Sequence, residues 1–174
     1  MIDRYYLSLG SNIDPKPHIL EASRYLDEIG HVISVSPVYL TQPIGMDCEA
    51  DPFYNLCVIL EADFVREDFK TKLKEIEREV GRERTNRESE DTFAPRTIDI
   101  DILFTGSSNQ YSEECLSCAY VVIPLSDLID PPPFLPFSSR SQWRESVDRS
   151  QIKGRVDYEW PESWREKTFE PFDS

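Results

Sequence analysis

Near the N-terminus, the chain changes from alternating apolar and polar residues to apolar residues at helical spacing. Tyr5, Leu7 and Leu9 alternate with more polar neighbours, which predicts a half-buried strand that ends at Gly10. The next segment carries apolar residues every three to four positions and predicts a helix that Gly30 terminates. The apolar positions of this helix are Ile19, Leu20, Ala22, Leu26 and Ile29.

Four further elements follow the same two spacings. The segment after Gly30 predicts a second strand that breaks at Pro43, and residues 54–62 predict a third strand. Helical spacing then returns before Gly81 in the clearest helix of the sequence, and the stretch 93–104 predicts a last strand. The apolar positions of the second helix are Phe69, Leu73, Ile76 and Val80.

The order of the predicted elements is β-α-β-β-α-β, which is the order of a split βαβ arrangement. We therefore predict an α+β, ferredoxin-like fold in which two helices pack on one face of an antiparallel sheet. No repeat and no long linker divides the chain, so we predict one domain over residues 1–174. The tail over 137–174 is expected to pack partly on this domain and to fray partly. The tail holds the three tryptophans, Trp143, Trp160 and Trp164.

The charge balance limits the kinds of partner that the protein can have. The 174 residues include 19 basic and 33 acidic side chains, which gives a net charge of −14. This balance disfavours nucleic acid and anionic membranes as partners, although local basic clusters can still bind phosphates. The N-terminus does not resemble a signal peptide, and no apolar run is long enough to span a membrane. We therefore expect a cytoplasmic protein, and we expect it to be a monomer.

The cysteines leave two interpretations open. Cys115 and Cys118 form a C-x-x-C motif, but no second motif of this kind follows, and the two histidines lie far away in sequence. Reduced thiols are the usual state in a cytoplasmic chain, so we favour this interpretation over a zinc or redox site. The remaining cysteines and the histidines are Cys48, Cys57, His18 and His31.

Two acids in the last predicted strand are the strongest candidates for chemistry. Residues two apart in a strand point to the same face, so Asp99 and Asp101 present both carboxylates together while Ile98, Ile100 and Ile102 face the core. Two like charges this close repel each other, and a hard cation such as Mg²⁺ would remove the repulsion. The alternative is an edge strand with a solvated acidic face, or acids that pair with neighbouring basic residues.

Arginines surround this acid pair in the sequence. Arg82, Arg84 and Arg87 lie in the preceding loop, and Arg96 stands three residues before Asp99. Guanidinium groups beside a metal-binding acid pair are typical of polyphosphate chemistry, because they stabilise the oxygens of the transferred group. The alternative is ion pairing with the acids of the same loop, which are Glu83, Glu88, Glu90 and Asp91.

Two short segments suggest a pocket for a flat heterocycle. The motif TQPIG covers 41–45, and the motif FYN places Phe53 two residues before Asn55. An aromatic ring can stack on a heterocycle while a carboxamide hydrogen-bonds along its edge. Taken singly, each segment is more often core or turn structure than a binding site.

Together these motifs resemble the 6-hydroxymethyl-7,8-dihydropterin pyrophosphokinase family. LGSN, YLTQPIG, DPFYN, IEREVGRER and FAPRTIDIDILF occur in the family's order, and the resemblance covers residues 4–136. It implies a ferredoxin-like α+β fold and transfer of pyrophosphate from ATP to the hydroxymethyl oxygen of a reduced pterin, with release of AMP. The implied partners are these small molecules, and the implied cofactor is a pair of Mg²⁺ ions.

The resemblance also implies roles for individual residues. Asp99 and Asp101 would bind Mg²⁺, and Arg82 and Arg96 would stabilise the phosphates during displacement. The nucleotide would be bound by Glu77, Arg82, Arg84 and Arg96. The pterin would be bound by Thr41, Gln42, Ile44, Phe53, Asn55, Phe93 and Tyr120.

The chain departs from the family pattern between the acid pair and the segment 124–125. Family members carry a Pro-His pair and an arginine there, which contact ATP phosphates, whereas this chain reads LSCAYVVIPLSDLIDP. Loss of these groups implies weaker nucleotide binding, unless basic residues of the tail replace them. The alternatives are a non-catalytic or regulatory pterin-binding homologue, or a pyrophosphokinase with another nucleotide or acceptor. The tail residues are Arg140, Arg144, Lys153 and Arg155.

Overall fold

Six strands form one antiparallel sheet in the computed structural model, which describes residues 1–43, 51–81, 97–108 and 110–168. The strand order is β5-β1-β4-β3-β6, and β2 pairs with β4 beside β3. This arrangement confirms the α+β class and the antiparallel sheet. The strands are β1 (Asp3–Ser11), β2 (His31–Val35), β3 (Val38–Thr41), β4 (Phe53–Ala62), β5 (Asp99–Thr105) and β6 (Ile152–Val156).

Both helices predicted from apolar spacing are present, and they pack on the same face of the sheet. The first ends at Gly30, and the second buries Phe69, Leu73 and Ile76 against the apolar side of the strands. Burial of these side chains is the main contribution of the helices to the stability of this layer. The helices are α1 (Pro15–Ile29) and α2 (Arg66–Glu79).

A third helix, α3 (Ala119–Leu128), covers the opposite face of the sheet. The predicted pair of helices on one face is confirmed, and α3 is an additional helix that was not predicted. Apolar periodicity does not reveal α3, because this helix is buried on nearly all sides and therefore carries no polar stripe. Pro124 inside it would also disfavour a helix by propensity. Two short helices follow, α4 (Arg140–Glu145) and α5 (Glu162–Arg165).

The predicted second strand is in fact two strands, β2 and β3, separated at Ser36 and Pro37. Proline has no backbone N–H to donate to the sheet, which explains the additional break at Pro37. Strand β3 then ends at Thr41, close to the predicted break at Pro43. The backbone N–H of Ser36 still donates to the carbonyl of Cys57 at 2.9 Å. The N–H of Cys57 donates in turn to Ser36 Oγ at 2.9 Å, so β4 keeps its hydrogen bonds across the break.

The tail is part of the sheet and of both cores. Strand β6 pairs with β3, and Trp143 and Trp164 are fully buried. The indole N–H of Trp164 donates to Asp27 on α1 at 2.9 Å, which fixes the end of the tail to that helix. The expected fraying is therefore not seen up to residue 168. Among the described residues, no helix is both long enough and apolar enough to cross a membrane.

Candidate active site

The strand register places the candidate chemistry in one row across the sheet, on the face that carries α3. Tyr39 on β3 lies opposite Asn55 on β4, Asn55 lies opposite Gly10 on β1, and Gly10 lies opposite Asp99 on β5. Directly opposed residues of antiparallel strands point to the same face. These four residues are called the cross-strand row below. It brings the acid strand and the carboxamide of the predicted pocket to the same surface.

Asp101 belongs to the same face, one step further along β5. It lies opposite Ser8, two residues from the pairing of Asp99 with Gly10. Ile98 and Ile100 are fully buried on the other face, whereas the Asp99 side chain is 16% exposed and Asp101 is exposed. The alternation predicted from the sequence is confirmed, and Asp99 and Asp101 lie on the face opposite the buried isoleucines.

Glu77 reaches the acid strand from α2. Strand β5 lies at the edge of the sheet, and the backbone N–H of Ile100, between the two acids, donates to Glu77 Oε1 at 2.7 Å. The same oxygen accepts a hydrogen bond from Lys74 Nζ at 2.8 Å. Glu77 thereby satisfies an edge N–H that would otherwise lack a sheet partner, and it fixes the strand that carries the acids.

Burial raises the pKa of the Glu77 carboxyl, and the ammonium group of Lys74 opposes this shift. The Glu77 side chain is only 1% exposed. Since a carboxylate in this position is enclosed by protein, its geometry favours positioning of β5 over direct contact with a nucleotide. The nucleotide contact inferred from the family resemblance stays a prediction.

Asn55 and Thr41 form a buried pair at the predicted pterin pocket. Asn55 Nδ2 donates to Thr41 Oγ1 at 2.6 Å, and the two residues are 5% and 3% exposed. The Asn55 side chain packs over Gly10, where a β-carbon would lie 2.8 Å from its Oδ1 atom. Phe53, half-buried, is paired with Thr41 across the strands, and Gln42 donates its N–H to the carbonyl of Gln151 at 2.8 Å.

Tyr120 lies at the start of α3, beside the acid pair. Burial is the main cause that raises the pKa of its phenol, the Cys118 side chain adds to it, and the negative charge of Asp101 contributes. The structure therefore brings this predicted pterin-stacking residue to the same part of the sheet face as the metal candidates. Cys57, Cys115 and Cys118 are free thiols.

Two basic residues of the tail make internal contacts. Arg144 Nη1 donates to Asp127 Oδ1 at 2.9 Å and to Ser126 Oγ at 2.7 Å. Asp127 also accepts a hydrogen bond from the phenol of Tyr39, and Arg155 Nε donates to that phenol at 3.2 Å. Arg144 is thus committed to a buried acid on α3, which argues against its replacing the missing phosphate contacts.

Several predicted site residues lie outside the described residues, and their roles stay predictions. These are Ile44, Arg82, Arg84, Phe93 and Arg96. Within the described ranges, no group of three or more His, Cys, Asp and Glu side chains could hold a metal ion. Two carboxylates nevertheless fit Mg²⁺, which commonly takes one or two and completes its shell with water and phosphate oxygens.

Two residues of the site were missed from the sequence. Gly10 appeared only as the end of a strand, and its role as the floor under Asn55 depends on a pairing between distant segments. Lys74 appeared only as a polar residue of α2. Its spacing of three residues from Glu77 was the available signal, because side chains at this spacing meet on a helix.

Comparison with known proteins gives consistent matches. The family model for 7,8-dihydro-6-hydroxymethylpterin-pyrophosphokinase (HPPK) matches residues 6–130. The 2-amino-4-hydroxy-6-hydroxymethyldihydropteridine pyrophosphokinase of Pseudomonas aeruginosa is 33% identical over 141 residues, which cover 74% of this chain and 82% of that protein. The protein of the same name from Bacillus subtilis is 25% identical over 173 residues, which cover 94% and 91%. The match to a solved structure of HPPK-DHPS in complex with substrates covers 87% of this chain and 36% of the solved chain. The sequence identity is 16% and the TM-score is 0.45.

Proposed function

Because the chain belongs to the 7,8-dihydro-6-hydroxymethylpterin-pyrophosphokinase family, we propose that the sheet face described above is its active site. The protein is a pterin pyrophosphokinase of folate biosynthesis. It transfers the pyrophosphoryl group of ATP to the hydroxymethyl oxygen of 6-hydroxymethyl-7,8-dihydropterin, and AMP is the second product. The nucleotide and the reduced pterin are its small-molecule substrates.

The cross-strand row is the observation that carries this assignment. Asn55 and Asp99 lie two strands apart, which corresponds to about 10 Å between their Cα atoms. This is comparable to the length of a bicyclic pterin with its hydroxymethyl arm. A pterin whose ring edge meets Asn55 therefore directs its hydroxyl toward the acid pair, where the phosphorus must be attacked.

On this proposal, the protein holds the pterin with groups that are fixed before it binds. The Asn55 carboxamide hydrogen-bonds the ring edge, Thr41 holds that carboxamide in place, and Phe53 and Tyr120 supply aromatic surface. Gln42, Ile44 and Phe93 complete the pocket. A side chain held by packing and hydrogen bonds costs little free energy to order when the substrate arrives.

The acid pair holds two Mg²⁺ ions in this proposal, bound by Asp99 and Asp101. When bound, Mg²⁺ neutralises charge on the bridging oxygens of the triphosphate. Glu77 and Lys74 keep the acid strand in position, and Arg82, Arg84 and Arg96 bind the phosphates from the preceding loop. Hydrogen bonds between guanidinium and phosphate are charge-assisted and strengthen as charge develops.

The proposed activity is tested by following AMP release from MgATP in the presence of 6-hydroxymethyl-7,8-dihydropterin. We expect AMP and the pterin diphosphate to form in equal amounts, and no AMP to form without pterin or with EDTA present. A folded sample that binds the pterin but releases no AMP would contradict the proposal and favour a non-catalytic pterin-binding protein. Release of ADP in place of AMP would exclude pyrophosphoryl transfer.

We also propose that the protein acts as a cytoplasmic monomer without a nucleic-acid or membrane partner. The net charge of −14 supports the absence of a nucleic-acid or membrane partner, since it repels polyanions and anionic lipid surfaces. Light scattering after gel filtration is the direct test of the oligomeric state. A mass of about twice that of the chain would contradict the monomer.

A further inference from the structure

The ammonium group of Lys74 lies between two carboxylates of the site. Its Nζ atom is 2.8 Å from Glu77 Oε1 and 3.8 Å from Asp99 Oδ1. The Lys74 side chain is 26% exposed, whereas its partner Glu77 is buried. A single basic residue of α2 is thus shared between the positioning acid and a candidate metal ligand.

The two contacts of Lys74 differ in strength. The contact with Glu77 is a charge-assisted hydrogen bond to a buried carboxylate, and breaking it would leave that charge without this partner. The contact with Asp99 is longer than a hydrogen bond and acts through charge alone. Lys74 is therefore held at the site by Glu77, and Asp99 receives its electrostatic field.

We propose that Lys74 is a positioning residue that acts as a resident counter-ion of the acid pair and weakens its affinity for free divalent metal ions. The inference rests on the proposed function, in which Asp99 and Asp101 are the metal ligands. In the absence of metal, the ammonium group offsets the repulsion between the carboxylates. When nucleotide is absent, a divalent ion must bind against this charge.

The distance between Lys74 and Asp99 determines that Lys74 weakens metal binding. A metal ion on Asp99 would lie within about 4–6 Å of the Lys74 ammonium, where like charges repel appreciably even in a water-like medium. Triphosphate oxygens would supply the negative charge that offsets this repulsion. Metal and nucleotide then bind together more readily than metal binds alone, which limits occupation of the site by free metal.

The test measures binding of Mn²⁺ by its electron paramagnetic resonance signal, without nucleotide, to the full chain. We expect Lys74→Met to bind Mn²⁺ roughly three- to tenfold more tightly than the wild type. Lys74→Arg keeps the charge and should restore wild-type affinity within about twofold. Lys72→Met is the matched control, because Lys72 lies on the same helix and pairs at 2.9 Å with Glu75, whose side chain is 43% exposed. It changes the net charge equally and should leave Mn²⁺ affinity unchanged.

Equal or weaker Mn²⁺ binding by Lys74→Met would overturn the inference, as would equal tightening in Lys72→Met, which would indicate an effect of net charge only. Absence of Mn²⁺ binding by both the wild type and Lys74→Met would overturn it as well. AMP release by the wild type is measured on the same preparation. An active wild type with unchanged Mn²⁺ affinity in Lys74→Met rejects the role of Lys74 alone, whereas an inactive wild type rejects the proposed function.

Discussion

The side-chain oxygen of Asn55 lies 2.8 Å from the position that a β-carbon on Gly10 would occupy. The two residues face each other across β1 and β4, in the middle of the cross-strand row. A β-carbon essentially never approaches another heavy atom this closely, so the carboxamide can rest on β1 only because residue 10 is glycine. The position of the candidate pterin-binding amide thus depends on the absence of a β-carbon at residue 10 of β1.

Gly10→Ala should displace the Asn55 carboxamide and raise the KM for the pterin by about tenfold or more. The KM for ATP should change less, because Asn55 is assigned to the pterin and not to the nucleotide. Steady-state kinetics with each substrate varied in turn measures this difference. Gly106→Ala is the matched control, since the nearest atom to its added β-carbon, Arg4 Cβ, is 3.4 Å away. Unchanged pterin KM in Gly10→Ala would contradict the proposed role of Asn55.

Asp99→Asn and Asp101→Asn should each reduce AMP formation by about a hundredfold or more while the protein remains folded. The substitution keeps the size of the side chain and removes the charge that a hard cation requires. AMP release at saturating substrates, with far-UV circular dichroism for folding, gives the readout. Asp157→Asn changes an exposed acid of the tail and should be fully active. Activity within a few-fold of wild type in both site variants would exclude the acid pair as metal ligands.

Arg144→Met should lower the free energy of unfolding by about 2–4 kcal/mol, because it leaves the buried carboxylate of Asp127 without its charged partner. Urea unfolding followed by tryptophan fluorescence measures the loss. The comparison is Arg140→Met. Arg140 Nη2 lies 3.4 Å from Asp130 Oδ1, and the Asp130 side chain is 83% exposed, so loss of this ion pair should cost less than about 1 kcal/mol. Similar losses in the two variants would contradict this prediction, because they would show that burial of Asp127 does not increase the cost of removing its partner.

Tyr158 should make stability fall with rising pH in the alkaline range. Its hydroxyl donates to the carbonyl of Lys16, and burial raises its pKa to about 12 from 10.0. The unfolded chain therefore loses this proton first, and the stabilisation is lost between pH 10 and pH 12 as the pH rises. Urea midpoints across this interval should fall less steeply in Tyr158→Phe than in the wild type. Tyr111→Phe, at an exposed tyrosine, should keep the wild-type slope.

The local pattern of the sequence was enough to predict the elements that carry one apolar face. Strand β1 alternates, α2 repeats its apolar residues every three to four positions, and both appear with nearly the predicted bounds. The common face of Asp99 and Asp101 followed from the same periodicity. These features depend on neighbours in sequence, and periodicity reports such neighbours well.

The features that were missed depend on contacts between distant segments. Helix α3 has no polar face because α4 and the sheet enclose it, and β6 is a strand only because β3 offers it an open edge. The meeting of Lys74 with Asp99 requires the end of α2 to pass the edge of β5. Tertiary packing determines the two elements and this contact, and the propensities of residues within a short window of sequence do not report tertiary packing.

The pairing of β6 with β3 also affects how the protein is made. The chain leaves the ribosome N-terminus first, so β1, β3 and β4 can associate before β6 has been synthesised. Until then β3 exposes unpaired backbone groups beside the candidate pterin-binding residue Thr41, and such an edge can pair with another chain. A premature stop or a proteolytic cut shortly before Ile152 would therefore yield an aggregation-prone fragment, even though the acid pair and Asn55 are already present in it.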